Sequence, residues 1–290
     1  PEVRVNAQPG QFGLFAEQDA PLPSLIRVMD LQQEQLARSL GEGHRVIHGA
    51  AGSGKTMILG YRCAHLAQVS RKPILVLCYN KSLAGRLQQV LTERGLSEKV
   101  VVHNFHVWCS SMLNTFQVSW PDAKLSINEK MAKLVENTID GVNSGKIPRA
   151  QYSAVLIDEG HDFQPEWFKL AVQMLDPESN SLLVLYDDAQ SIYRAKGRMN
   201  FSFASVGIQA QGRTTILRLN YRNTLEILSV AQAYATELLT ARDAAEDDVP
   251  IIAPQSAGRR GEVPLLLHCE AVWQENQCIV EHIRNEHGKG

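Results

Sequence analysis

Between residues 45 and 187 the chain alternates short, almost wholly apolar runs with longer segments whose apolar residues recur at helical spacing. The runs are RVIH (45–48), ILVLCY (74–79), VVVH (100–103), AVLID (154–158) and LLVLYD (182–187). Strands buried on both faces, as in parallel sheets, lose the apolar–polar alternation of half-exposed strands, so each run predicts a parallel strand. Segments 56–69, 81–94 and 165–176 predict the helices between them. Together they predict an α/β fold, a parallel sheet flanked by helices, over residues 30–205. Residues 110–150 break the rhythm with a polar, helix-periodic stretch, INEKMAKLVENTIDGVN, and are expected to form a small helical insertion. A second, partial α/β unit is expected over 206–290. Its elements are strand TTILRL (214–219), helix TLEILSVAQAYATELL (224–239), strand VPLLLHC (263–269) and a last helix. Residues 1–29 hold Pro1, Pro9, Pro21 and Pro23 among scattered apolar residues, which predicts a linker or the tail of an upstream domain. The chain begins without Met and is expected to be a piece of a longer protein.

Composition narrows this only a little. With 290 residues, 44% of them hydrophobic, there is material for a sizeable core and more than one domain. No apolar run approaches the roughly 18–20 residues of a membrane span, and the N-terminus lacks a signal-peptide pattern. Cys63, Cys78, Cys109, Cys269 and Cys278 form no CxxC pair, which suits a reducing compartment, so the cytoplasm is the expected location. The net charge of −2 means that any polyanion must be held by a local basic groove.

The chemistry begins at GAAGSGKT. Gly49, Ala50, Ala51, Gly52, Ser53, Gly54, Lys55 and Thr56 fit the GxxxxGK[ST] phosphate loop, placed between a strand and a helix as that loop requires. Glycines let backbone N–H groups curl around an anion, and the helix N-terminus adds a favourable field. Lys55 is expected at the β and γ phosphates of a nucleoside triphosphate, and the Thr56 hydroxyl on Mg²⁺. A second acidic site is needed for the metal and the attacking water. AVLIDEGHDF (154–163) offers Asp158 for the Mg²⁺ shell and Glu159 to polarise the water. Gln190, just past the next strand, is expected to sense the γ-phosphate.

From residue 31 to 228 the order of these pieces resembles the UvrD/Rep type of superfamily 1 helicases. LQQEQ (31–35) resembles the Q motif, which implies that Gln35 reads adenine. GAAGSGKT is similar to motif I. CYNKSLAGRL (78–87) resembles motif Ia and NFHVWC (104–109) motif Ib, so Tyr79, Asn80, Lys81, Phe105 and His106 are implied contacts to single-stranded DNA. DEGHDF stands where the family has DEFQD, and DDAQSIYR resembles motif III, adding Tyr193 to the strand contacts. LNYRNTLEIL (219–228) resembles motif IV, which implies that Tyr221 stacks on adenine and Arg222 is an arginine finger. The resemblance implies a RecA-like P-loop NTPase that hydrolyses ATP with Mg²⁺ and moves 3′-to-5′ along single-stranded DNA. The wording also resembles helicases that carry an upstream nuclease-related (NERD) domain. The chain departs from the family at Met57, where an arginine is common, at Ala195, where an aromatic is common, and at Gly160-His161. Nothing after Gly261 resembles motifs V or VI, so weak activity is expected of these residues alone.

Two blander readings stand beside this one. His103, His106 and Cys109 have HxxHxxC spacing but no evident fourth ligand, which argues against zinc. A P-loop switch that binds a partner without translocating is the alternative function. Motifs Ia and Ib weigh against it, since a switch has no need of strand-binding turns.

Overall fold

The computed structural model describes residues 25–49, 52–187, 201–238, 255–265 and 267–287. The first unit is a six-stranded parallel sheet in the order β3-β2-β4-β5-β1-β6. Its strands are β1 (His44–Gly49), β2 (Ile74–Cys78), β3 (Val100–Asn104), β4 (Ala154–Ile157), β5 (Ser181–Tyr186) and β6 (Thr214–Leu217). The five strands expected from apolar runs are all present. They are short and almost fully buried because helices cover both faces.

Alternate residues of each strand feed two cores. Leu75, Leu77, Val155, Ile157, Leu182 and Val184 point to one face, where α4 (Phe105–Thr115), α5 (Ile127–Asn143) and α6 (Pro165–Gln173) supply Trp108, Val135 and Phe168. Ile74, Val76, Leu156, Leu183 and Leu185 point to the other. There α1 (Leu25–Ser39), α2 (Lys55–Val69) and α3 (Lys81–Glu93) contribute Ala37, Ile58 and Leu87. Residues 110–150 are thus not set apart from the sheet. Ser126 and Glu129 form a capping box that starts α5, and its Leu134, Val135 and Val142 join the same core as the strands.

The boundary expected at residue 206 requires correction. Residues 214–217 belong to the first sheet: β6 runs parallel to β1, with Val46 opposite Thr214 and Gly49 opposite Leu217. TTILRL is therefore divided. Residues after Arg218 turn away into β7 (Leu219–Asn220), which pairs with β8 (Gln255–Ser256), and are followed by α7 (Leu225–Leu238). The strand expected at 263–269 is not formed in its described residues. Val263, Leu265 and Leu267 are exposed, and among the described residues no strand lies beside them to satisfy their backbone. The last helix is present as α8 (Val272–His287), and it too exposes apolar side chains, Trp273 and Ile283 among them. Among the described residues no helix is long and apolar enough to cross a membrane.

Candidate functional site

Parallel strands place their C-terminal ends, and the loops that follow, along one edge of the sheet, where α/β folds bind ligands. Strand β1 ends at Gly49 and α2 begins at Lys55; Ala50 and Ala51 lie outside the described residues. Gly52 and Gly54 have φ of 82° and 86°, in the left-handed region that glycine adopts freely. They are also crowded. A Cβ on Gly54 would fall 1.8 Å from Gln33 Nε2, and one on Gly52 would fall 2.7 Å from the Arg222 Cβ. The turn has room for backbone only.

The side chains at this turn hold one another. The buried Lys55 ammonium donates to Gly49 O at 2.6 Å and lies 3.3 Å from Asp187 Oδ2, itself buried at the end of β5. The Thr56 hydroxyl donates to Asp158 Oδ2 at 3.1 Å, and Asp158 Oδ1 accepts the Glu159 N–H at 3.0 Å. Burial pushes the Asp158 carboxyl above the usual carboxylate range, against the opposing pull of the Thr56 and Glu159 hydrogen bonds and of Lys55. Burial, and then the neighbouring Asp158 charge, raise Glu159 as well. Glu159 sits in the left-handed region at φ 52°, where a non-glycine residue is uncommon. Its Oε2 is 3.5 Å from His161 Nδ1 and accepts no hydrogen bond.

This donor set fits a magnesium nucleotide. The Thr56 hydroxyl and Asp158 carboxylate are hard oxygen ligands that already meet. Ser53 Oγ is buried in the turn with no hydrogen-bond partner, as suits an oxygen facing an anion. Lys55 supplies the compensating charge.

Gln35 is exposed on α1, while Gln33, two residues earlier and 5% exposed, lies against Gly54 with Oε1 unpartnered. Two residues along a helix turn the side chain by about 200°, so the two glutamines face opposite ways. The apolar stripe Gln33, Ala37, Leu40 carried that signal, because Ala37 and Leu40 are buried on the same face. Asp187 is a second residue that the motifs did not single out, although it is a carboxylate ending a strand next to β1.

Tyr221 and Arg222 are brought to the phosphate turn. The Tyr221 N–H donates to Gly52 O at 3.0 Å. The buried Asn220 side chain accepts the N–H groups of Arg222 and Asn223 at 3.1 and 2.9 Å, fixing the bend after β7. Arg259 adds hydrogen bonds from Nη1 to the Tyr221 and Arg222 carbonyls at 3.3 and 3.1 Å. Gln190 and Tyr193 lie outside the described residues.

Of the expected strand contacts, Tyr79, Asn80, Lys81 and His106 lie together at the turns after β2 and β3. Asn80 caps α3 and Asn104 caps α4, each accepting two backbone N–H groups, and Asn104 Nδ2 also donates to Tyr79 O. Phe105 requires correction: it is 0% exposed and stacks on Trp167 inside the core, so it supports the turn and touches no strand. Trp108 is also buried, its Nε1 donating to the Tyr152 hydroxyl at 3.2 Å. Among the described residues no three His, Cys, Asp or Glu side chains gather into a metal site, His103, His106 and Cys109 included. Arg62 faces inward, donating to the Ala37 and Gly41 carbonyls and tying α2 to the end of α1.

A family model described as an AAA domain matches residues 32–196, more than half of the chain. A probable DNA helicase II homolog from Mycoplasma genitalium is 33% identical over 88 residues, covering 28% of this chain and 12% of that protein. The putative ATP-dependent DNA helicase YjcD of Bacillus subtilis is 33% identical over 113 residues, 36% of this chain and 14% of its own length. The chain thus aligns with about an eighth of the length of such relatives. A solved helicase domain of Pyrococcus furiosus Hef superposes on 64% of this chain and 37% of its own, at 14% identity and a TM-score of 0.38. The chain belongs to the AAA domain family, and its motifs follow the order of the UvrD-like superfamily 1 helicases.

Proposed function

We propose that the chain hydrolyses ATP with Mg²⁺ and couples the hydrolysis to movement, 3′-to-5′, along single-stranded DNA, as the motor of a superfamily 1 helicase. The observation that carries this reading is the hydrogen bond from Tyr221 to Gly52, which seats the Tyr221–Arg222 segment directly on the phosphate turn. An arginine delivered by a segment beyond the first sheet makes hydrolysis depend on how that segment sits, which is the coupling a motor requires. In this reading Lys55 holds the β and γ phosphates, and Thr56 and Asp158 hold the magnesium. Glu159, whose burial beside Asp158 raises its pKa, takes a proton from the attacking water. Arg222 neutralises charge developing on the γ-phosphate, Gln33 reads the adenine edge and Tyr221 stacks on its face. The strand crosses Tyr79, Lys81 and His106 on the same sheet edge. Magnesium, when bound, withdraws charge from the phosphate oxygens.

ATP turnover is expected to be slow and to rise when single-stranded DNA is added. Arg222→Ala should lower DNA-stimulated turnover by about 10³-fold or more while leaving nucleotide affinity nearly unchanged. Turnover indifferent to DNA, with nucleotide binding intact, would favour the partner-binding switch instead.

A further inference from the structure

Beyond the first sheet, residues 255–261 form a strap laid along the Tyr221–Arg222 segment. The Gln255 and Ala257 N–H groups donate to the Arg218 and Asn220 carbonyls at 2.7 and 3.2 Å, and the Arg259 carbonyl accepts the Leu225 N–H at 2.9 Å. The Gly261 N–H donates to the Glu226 carboxylate at 2.9 Å. Two glycines permit so close a path. Gly258 turns the strap with φ 88°, and a Cβ on Gly261 would fall 2.6 Å from Thr224 Cγ2. From this strap one side chain reaches back, as Arg259 Nη1 donates to the Tyr221 and Arg222 carbonyls at 3.3 and 3.1 Å. Tyr221 is thereby held at both ends, its N–H on Gly52 O and its carbonyl on Arg259. Arg222 is held the same way, its N–H on Asn220 Oδ1 and its carbonyl on Arg259.

We propose that Arg259 is a positioning residue for Arg222. The strap fixes the backbone from which the Arg222 guanidinium reaches the nucleotide, and so sets the rate of hydrolysis without touching the nucleotide itself. The proposal rests on the reading of Arg222 as an arginine finger and names what aims it. A long side chain keeps its rotamer freedom, so where its tip can go depends on where its backbone is fixed. The Arg222 Cβ already lies against the phosphate turn, at the spot a side chain on Gly52 would need, which leaves little play in that direction. The guanidinium of Arg259 is always charged, and hydrogen bonds from a charged donor are stronger than neutral ones. The backbone bonds of the strap do not involve this side chain, so the strap can stay in place without it. Arg259 is also exposed, and its truncation leaves no cavity in a core. A role confined to stability would therefore be a weak use of the two bonds, whereas a role in aiming Arg222 uses both.

The test is single-turnover ATP hydrolysis in the presence of oligothymidine, with nucleotide affinity titrated alongside, for Arg259→Ala, Arg259→Lys, Arg222→Ala and the double variant Arg222→Ala/Arg259→Ala. Arg259→Ala should slow hydrolysis by about 10- to 100-fold, the scale on which a displacement of about 1 Å acts, with affinity within a few-fold of the parent. Arg259→Lys should recover most of the rate, because one ammonium can donate to both carbonyls that Nη1 now serves. The double variant should be no slower than Arg222→Ala alone, since residues that act through one another do not add. Hydrolysis by Arg259→Ala at the parent rate, with Arg222→Ala slow, would overturn the role of Arg259 and leave the finger standing. So would a double variant slower than Arg222→Ala by the full Arg259→Ala factor, or a loss of affinity as large as the loss of rate. Arg222→Ala at the parent rate, or a parent chain that binds ATP without hydrolysing it, would remove the finger and this proposal together.

Discussion

The phosphate turn after β1 and the turns after β2 and β3 share one edge of one sheet, yet their polar groups are arranged in opposite ways. At the phosphate turn, charged side chains are buried and hold one another: Lys55 against Asp187, Thr56 against Asp158. At the turns after β2 and β3, two asparagines satisfy the backbone, and the groups available to a ligand stay half-exposed, Tyr79 and His106 among them. On the proposed function, the difference follows from what each must do. A site for a compact, highly charged ligand benefits from excluding water, so its charges must find partners while they wait. A surface for a polymer must remain open along its length. Variants at the first region should therefore change stability and nucleotide binding together, whereas variants at the second should leave nucleotide binding alone.

The largest effect is expected at Lys55. Lys55→Met removes the ammonium from a buried carboxylate as well as from the phosphates, and breaking such a pair costs about 3–5 kcal/mol. Nucleotide binding should be lost and the midpoint of urea unfolding should fall. Adding Asp187→Asn should restore much of the stability and none of the binding. Equal stability of Lys55→Met and the parent would show that the pair is not holding the turn.

At the second region, Asn104→Ala removes the α4 cap and the bond to Tyr79 O. A lost cap costs about 0.5–2 kcal/mol, and affinity for single-stranded DNA should fall with it. Nucleotide affinity, measured by titration, should stay at the parent value. A matching fall in nucleotide affinity would mean that the two regions are not separable.

Asp158→Asn sharpens the contrast in the opposite direction. A carboxyl whose folded pKa lies above its unfolded value carries a cost once ionised, absent below the unfolded pKa and complete above the folded one. Asparagine removes that cost, so the ligand-free variant should melt at a higher temperature than the parent at neutral pH. The gap should narrow as the pH falls toward the ordinary aspartate range. Magnesium-dependent hydrolysis should be lost in the same variant. A lower melting temperature at neutral pH would show that the hydrogen bond from Thr56 outweighs the burial of charge.

Most of this architecture was legible in the sequence, for a physical reason. Strands buried on both faces must be apolar throughout, and a phosphate turn must be glycine at fixed places, so β1 to β5 and residues 49–56 declare themselves. Edge strand β6 is partly exposed, so TTILRL gave no sign of which sheet it would join. The strand expected at 263–269 was apolar enough but has no ladder to enter among the described residues. Phe105 was assigned by position in a motif, which fixes where the backbone goes and says little about the side chain's direction. For the burial of Gln33 the helical stripe did hold the answer. Asp187, Asn220 and Arg259 act by supporting other groups, and nothing in the spacing of a motif marks a residue for that.

The smallest of the comparisons concerns Gln33 and Gln35. Gln33→Ala should weaken ATP binding relative to GTP, because a site built around a hydrogen bond rejects the base that leaves it unpaired. Gln35→Ala should leave the ratio unchanged. The reverse pattern in competition titrations would return the role to Gln35.

The central claim is that Lys55, Thr56, Asp158 and Glu159 form one magnesium–nucleotide site in which Glu159 activates water. Measuring nucleotide affinity and single-turnover hydrolysis of Glu159→Gln side by side tests it most directly. The account predicts affinity within a few-fold of the parent and hydrolysis slower by about 10²–10⁴-fold, the range that a general base contributes. Hydrolysis at the parent rate with unchanged affinity would contradict it.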